Sequence, residues 1–221
     1  ELIAEAKRPV ILAGHGVIIA QAYQELRELA EGANTPVITT LLGISSFPGT
    51  HPLNLGMPGM HGMYWNNIAI QESDLIIAAG MRFDDRITGR LKDFAPNAKI
   101  IHIEIDPAEV GKNVRPTVTL QGDARVCLRE INKHIRFVER PDWFERIEGL
   151  RRDHPSITIR ETPELLPQYV IHKLYEATGG DCYIVTGVGQ HQMWAAQYFW
   201  YDKPNSFVTS GGLGTMGFEV P

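Results

Sequence analysis

The stretch Pro9-Val10-Ile11-Leu12-Ala13-Gly14-His15-Gly16 decides the fold. Five apolar residues, too few for a helix, end at a glycine-bounded turn, as in a strand buried on both faces. Similar runs recur at residues 36–40, 74–79, 99–105 and 117–120, each bounded by Gly, Pro, Asn or Asp. The periodicity predicts helices between them. Ile19, Ala22, Leu26 and Leu29 share one apolar face. Ala124, Cys127, Leu128, Ile131 and Ile135 do the same behind Asp123, which is placed as an N-cap. Strand–helix alternation with doubly buried strands implies an α/β fold, a doubly wound parallel sheet, over residues 1–138.

Beyond it the composition changes. Residues 136–162 carry 12 charged side chains in 27 positions, with Pro141 and Pro155 among them. Residues 139–161 therefore read as an exposed charged linker containing a short helix. A second, incomplete α/β domain is expected over 162–221. It opens with Thr162 as N-cap and Pro163 at the first helical position. A helix through Leu166, Val170, Leu174 and Ala177 leads to a strand at 182–186, the loop Gly187-Val188-Gly189, and a helix from Gln190. The glycine-rich Ser210-Gly211-Gly212-Leu213-Gly214 follows. The chain starts at Glu1 and stops at Gly217-Phe218-Glu219-Val220-Pro221, which reads as a piece of a longer protein.

The bulk properties exclude several classes. With 221 residues there is chain for one or two domains, and 43% hydrophobic against 21% charged residues excludes intrinsic disorder. Lys and Arg number 21 against 26 Asp and Glu, a formal net charge of −5, so no nucleic-acid partner is expected. No apolar run approaches a membrane span. Cys127 and Cys182 show no metal-ligand spacing and read as reduced thiols; no protein-built metal site is expected.

In an open parallel sheet, ligands sit beyond the carboxyl ends of the strands. Gly14-His15-Gly16 lets the backbone approach a ligand, or is a plain tight turn. Ile19 stands where a GxGxxG fingerprint needs its third glycine, and the second strand ends in Thr39-Thr40 rather than an acidic residue. Both argue against a dinucleotide held in the ordinary Rossmann manner. The loop from Leu41 to His61 is either a partly buried Ω-loop or a platform for a flat aromatic ligand, with Met60, His61, Met63, Tyr64 and Trp65 beside it. Arg82 either forks onto phosphate or carbonyl oxygens or pairs with Asp84 to cap the next helix. Glu104 has a carboxylate that ribose hydroxyls could meet, and Asp123 doubles as a helix cap. Five strand ends offering Gly or polar groups to one crevice fit an extended nucleotide cofactor.

Arg82-Phe83-Asp84-Asp85-Arg86-Ile87-Thr88-Gly89, with Gly59-Met60-His61-Gly62 before it and Ile103-Glu104-Ile105-Asp106-Pro107 after it, resembles the central domain of the acetolactate synthase family. Gly187-Val188-Gly189-Gln190-His191-Gln192-Met193-Trp194 and Ser210-Gly211-Gly212-Leu213-Gly214-Thr215-Met216-Gly217-Phe218 resemble the start of its diphosphate-binding domain. The resemblance implies a transferase that uses thiamine diphosphate, Mg2+ and a non-redox FAD. It joins a two-carbon unit from pyruvate to a second 2-keto acid in branched-chain amino acid synthesis. It assigns FAD to Gly16, Thr40, Leu41, Gly59, Met60, His61, Gly80, Arg82, Phe83, Asp84, Glu104, Ile105, Asp123 and Ala124. Thiamine diphosphate falls to Gln190, His191, Gly214, Thr215 and Met216. It implies a homodimer or homotetramer, a small regulatory subunit, and a cytoplasmic or organellar location. The family's activating glutamate and magnesium ligands are expected outside these residues, so the 221-residue piece alone is expected to be inactive. Two departures stand out: Glu219 replaces a glycine, and Trp65-Asn66 is bulkier than a flavin neighbour should be. The competing readings are another thiamine-diphosphate enzyme, such as an oxidase, and a non-enzymatic flavin module.

Overall fold

A computed structural model describes residues 1–220. Six parallel strands form the main sheet: β1 (Pro9–Ala13), β2 (Val37–Thr39), β3 (Asn54–Gly56), β4 (Leu75–Ala79), β5 (Lys99–Glu104) and β6 (Val118–Gln121). Their order is β3-β2-β1-β4-β5-β6, with Ala13 opposite Thr39 on one side and Ala79 on the other. Chain direction across the sheet reverses between β1 and β4, which makes that gap the switch point. The expected doubly wound parallel sheet is therefore present. The short β3 lies inside the segment read only as a loop; three residues are too few to show a period.

Helices cover both faces. They are α1 (Leu2–Glu5), α2 (His15–Ile19), α3 (Tyr23–Gly32), α4 (Tyr64–Glu72), α5 (Asp85–Thr88), α6 (Ala124–Asn132) and α7 (Pro141–Asp153). Strand residues alternate between two cores. Val10, Leu12, Ile76 and Ala78 meet Trp65, Ala69 and Ile70 of α4. Ile11, Ala13, Ile77 and Ala79 meet Leu26 and Leu29 of α3 and Leu128 of α6. β1, β4 and nearly all of β5 are buried as expected, but β6 is an edge strand with Val118, Thr119 and Gln121 exposed. Among the described residues nothing pairs beyond it in this sheet.

Three further readings need correction. The single helix through Ile19 is two helices, broken at Gln21, whose φ is 51°. Ile19 is 74% exposed and belongs to no buried face. The charged stretch is not an exposed linker throughout: α7 buries Trp143, Ile147 and Leu150 in the first core, and Trp143 Nε1 donates to the Pro9 carbonyl at 3.0 Å. Its charges occupy the opposite face, where Arg146 pairs with Glu72 at 2.6 Å. Trp65 and Asn66 are buried within protein, where Trp65 Nε1 donates to the Leu55 carbonyl and Asn66 Nδ2 to that of Met57.

The second unit comprises α8 (Pro167–Thr178), β7 (Ile184–Thr186), α9 (Gln190–Tyr198) and β8 (Phe207–Thr209), with β7 and β8 parallel. Pro167, not Pro163, takes the first turn of α8, and Leu166 is its N-cap. The strand β8 just before the glycine-rich run escaped the sequence reading. Ala195, Ala196, Phe199, Tyr201 and Phe207 pack on Ile44 and Met57 of the long loop. Thr50 N and Oγ1 both donate to Asp202 Oδ1 at 2.9 Å.

Candidate functional site

The carboxyl ends of β1, β2, β4, β5 and β6 open on one cleft of about 640 Å³. Its floor is made by close backbone approach. Gly80 has φ 57°, and a Cβ added to Gly16 would lie 2.6 Å from the Gly80 Cα. Gly16 N donates to the Gly80 carbonyl at 2.8 Å. Only residues without a side chain fit there. The Gly14-His15-Gly16 turn is thus required by the protein's own packing, and it also bares backbone to the cleft.

Glu104 is 8% exposed, and its Oε1 accepts from the backbone N–H groups of Ile105 and Asp106 at 2.9 and 3.0 Å. Its Oε2 has no partner among the described residues. A carboxylate held rigidly with one free oxygen is a ready acceptor for a diol. Here β5 supplies the acidic group that β2 lacks. Asp123 caps α6, its Oδ1 accepting from Arg125 N and Val126 N.

Arg82 meets both of its sequence readings. Its Nη2 lies 3.3 Å from Asp84 Oδ2, and Asp84 caps α5, while Arg82 still lines the cleft. A hydrogen bond shared with the Asp85 carboxyl, against the cost of burial, holds Asp84 below the usual carboxylate range. The Arg86 N–H and the Arg82 and Arg86 charges add to this. Arg86 also lines the cleft, so two guanidinium groups stand over a site suited to phosphates.

Of the positions assigned to FAD by resemblance, Gly16, Thr40, Leu41, Gly80, Arg82, Asp84, Glu104, Ile105, Asp123 and Ala124 line this cleft. Four do not. Phe83 is buried, edge-on to Phe94 and His102. Gly59, Met60 and His61 form an adjoining turn with Met60 78% exposed. The His61 carbonyl accepts from Gln197 of the second unit at 2.6 Å. The long loop thus serves as a docking surface for the second unit. The cleft instead gains Gly211 and Gly212, and Leu42 packs against Gly211 closely enough that a Cβ there would lie 2.6 Å from the Leu42 Cγ.

At the second unit, Gln190 and His191 open α9 on the surface, while Gly214, Thr215 and Met216 are exposed, Gly214 with φ 63°. Sequence reasoning missed Gln192, which is buried and donates from Nε2 to Thr209 Oγ1 at 2.8 Å and to the Ser210 carbonyl at 3.0 Å. Thr209 Oγ1 lies 2.8 Å from Thr186 Oγ1. This knot ties the ends of β7 and β8 to α9. Its signal was a glutamine at helical spacing from Ala195 and Ala196, on the face that is buried. Glu219 sets its carboxylate directly against Gly187, in the loop before α9.

Comparison with known proteins agrees with both units. Residues 1–131 match the thiamine pyrophosphate enzyme central domain, and residues 187–221 match the C-terminal TPP binding domain. An acetolactate synthase large subunit of Mycobacterium tuberculosis is 50% identical over 228 residues, spanning 100% of this chain and 37% of that protein. A probable acetolactate synthase large subunit of Methanocaldococcus jannaschii is 48% identical over all of the chain and 39% of that protein. A chloroplastic acetolactate synthase of Zea mays is 42% identical over all of the chain and 35% of that protein. The chain spans well under half the length of these relatives. Its sheet order, its cleft at the β1–β4 switch point and its two matched domains make it a member of the thiamine pyrophosphate enzyme family.

Proposed function

We propose that this chain is part of an acetolactate synthase catalytic subunit. The reaction is decarboxylation of pyruvate and condensation with a second 2-keto acid. Pyruvate as acceptor gives acetolactate and 2-ketobutyrate gives acetohydroxybutyrate, on the route to valine, leucine and isoleucine. The observation that carries this reading is the likeness, over the whole chain, to acetolactate synthases of bacteria, an archaeon and a plant.

Thiamine diphosphate supplies the carbanion chemistry when bound, and the protein supplies orientation and electrostatics. Gln190, His191, Gly214, Thr215 and Met216 are the residues of this chain for that cofactor, with Mg2+ at its diphosphate. The Gln192–Thr209–Thr186 knot holds the two loops that carry them in register. FAD belongs in the cleft. Glu104 Oε2 would accept hydrogen bonds from its ribose hydroxyls, Arg82 and Arg86 would neutralise its phosphates, and the side-chain-free Gly16 and Gly80 would leave it room. The flavin is structural rather than redox-active. The assembly is a homodimer or homotetramer with a small regulatory subunit, in the cytoplasm or in an organelle stroma or matrix.

The test uses the full-length protein loaded with thiamine diphosphate, Mg2+ and FAD. On adding pyruvate, acetolactate accumulates and the flavin spectrum stays unchanged. Bleaching of the flavin with no acetolactate would instead make the protein an oxidase of the same family.

A further inference from the structure

Successive strand residues face opposite sides of a sheet. Thr40 opens on the cleft, while Thr39 opens on a second cavity, of about 370 Å³, between the two units. Phe47 and Trp65 wall it on one side and Phe199 and Trp200 on the other. Small molecules bind in cavities of this kind, apolar with a few convergent polar groups and lying where two units meet.

Three observations set the chemistry of an occupant. First, Arg151 stands in the wall, its guanidinium 5.6 Å from the centre of the Trp65 ring. Its Nη2 donates to the Asn54 carbonyl at 3.0 Å and its Nη1 to Glu148 at 2.7 Å. The Glu148 side chain is 62% exposed, so that pair is solvated and weak. Arg151 Nε has no partner among the described residues, and the cation is open to an anion inside the cavity. Second, two polar groups in the wall are unused: the Thr39 hydroxyl, on a residue 3% exposed, and Gln197 Oε1, neither with a partner among the described residues. Third, Ser45, also in the wall, sits in the left-handed region at φ 72° while its hydroxyl accepts from Ser206 N across the junction at 3.2 Å. Strain of this kind persists where surrounding structure holds it and collects at ligand sites.

We propose that this cavity is a second small-molecule site, which takes a planar aromatic carboxylate. Its ring lies among Phe47, Trp65 and Phe199, and its carboxylate meets Arg151. Because the occupant touches both units and stands one residue away from the Thr40 cleft, its binding biases how the second unit rests on the first. This inference stands apart from the identity of the reaction.

The probe is 2-naphthoate, with the neutral 2-naphthamide as comparison, measured by equilibrium dialysis against the full-length FAD-loaded protein. Saturable binding of 2-naphthoate is expected, weakened about tenfold in Arg151→Met and partly restored in Arg151→Lys. Binding of the amide is expected to be indifferent to both substitutions. Ala196→Leu, which fills the cavity from α9, is expected to abolish binding, and Arg152→Gln, at an exposed arginine outside the cavity, to leave it unchanged. No saturable binding, equal affinity for acid and amide, or insensitivity to both Arg151→Met and Ala196→Leu would overturn the proposal. An Arg151→Met protein that fails to fold leaves Ala196→Leu and the acid–amide comparison to decide.

Discussion

Glu104 is a buried, firmly oriented acid of the cleft. Two backbone N–H groups consume one carboxylate oxygen and leave the other free. Replacing it with glutamine keeps the shape and removes the charge-assisted acceptor. With FAD in the cleft as the proposed function has it, Glu104→Gln should weaken its binding about tenfold, read as flavin lost on gel filtration, with little change in melting temperature. Glu219 acts in the opposite sense. Its carboxylate lies against Gly187, in the loop that the proposed function gives to the diphosphate. Like charges repel, so Glu219→Gly should tighten thiamine diphosphate several-fold, measured by titration at low ionic strength and less so in high salt. At this scale the sequence was partly legible. The polar groups at strand ends could be named because a strand's end is marked by Gly or Asp. Phe83 could not be placed, since neighbouring residues of one motif turn to opposite sides and only packing against Phe94 and His102 decides which.

Among the elements, α7 teaches most. Composition showed a run of charge, but the apolar residues Trp143, Ile147 and Leu150 recur at helical spacing and bury against the sheet. The residue before it, Arg140, is 4% exposed and donates to the carbonyls of Ile3, Ala6, Ala33, Asn34 and Val138. Several of these are carbonyls left over at the ends of α1 and α3. Burial lowers the pKa of the guanidinium, the Asp74 charge opposes this, and an arginine stays charged throughout. Arg140→Met should cost about 3 kcal/mol in urea unfolding, and Arg140→Lys should recover little, because one ammonium cannot reach five acceptors. The α3–α6 contact rests on Glu25, which Arg125 and Arg129 bond at 3.0 and 2.8 Å. Burial pushes the Glu25 carboxyl up, but hydrogen bonds from Arg129 and Arg125 outweigh it and the pKa falls below the usual value. A depressed carboxylate stabilises the fold above its unfolded pKa and loses that contribution as pH falls through its folded value. Wild type should therefore exceed Glu25→Gln in stability by about 1–2 kcal/mol at neutral pH, the arginines being half exposed. The gap should close below about pH 4 in a series of thermal melts.

For the whole molecule, the second unit is held by the long loop of the first. Phe199 is 3% exposed at the centre of that contact. Phe199→Ala should remove about 3 kcal/mol or more of packing. The variant should then melt in two steps where wild type melts in one, with faster tryptic cleavage at the exposed Arg160 between the units. Legible in the chain alone were the parallel sheet, the crevice at its strand ends and the family motifs, because each depends on local pattern: apolar runs, glycine turns and short polar strings. The two-unit junction was not legible, nor the division of the loop residues between cleft, core and junction, nor the buried Gln192 knot. These depend on which residues distant in sequence come into contact, and local spacing carries no record of that. The glycines mark the boundary between the two kinds of information. The chain displays Gly16 and Gly80, but only the fold presses them together, so that the floor of the cleft is backbone against backbone.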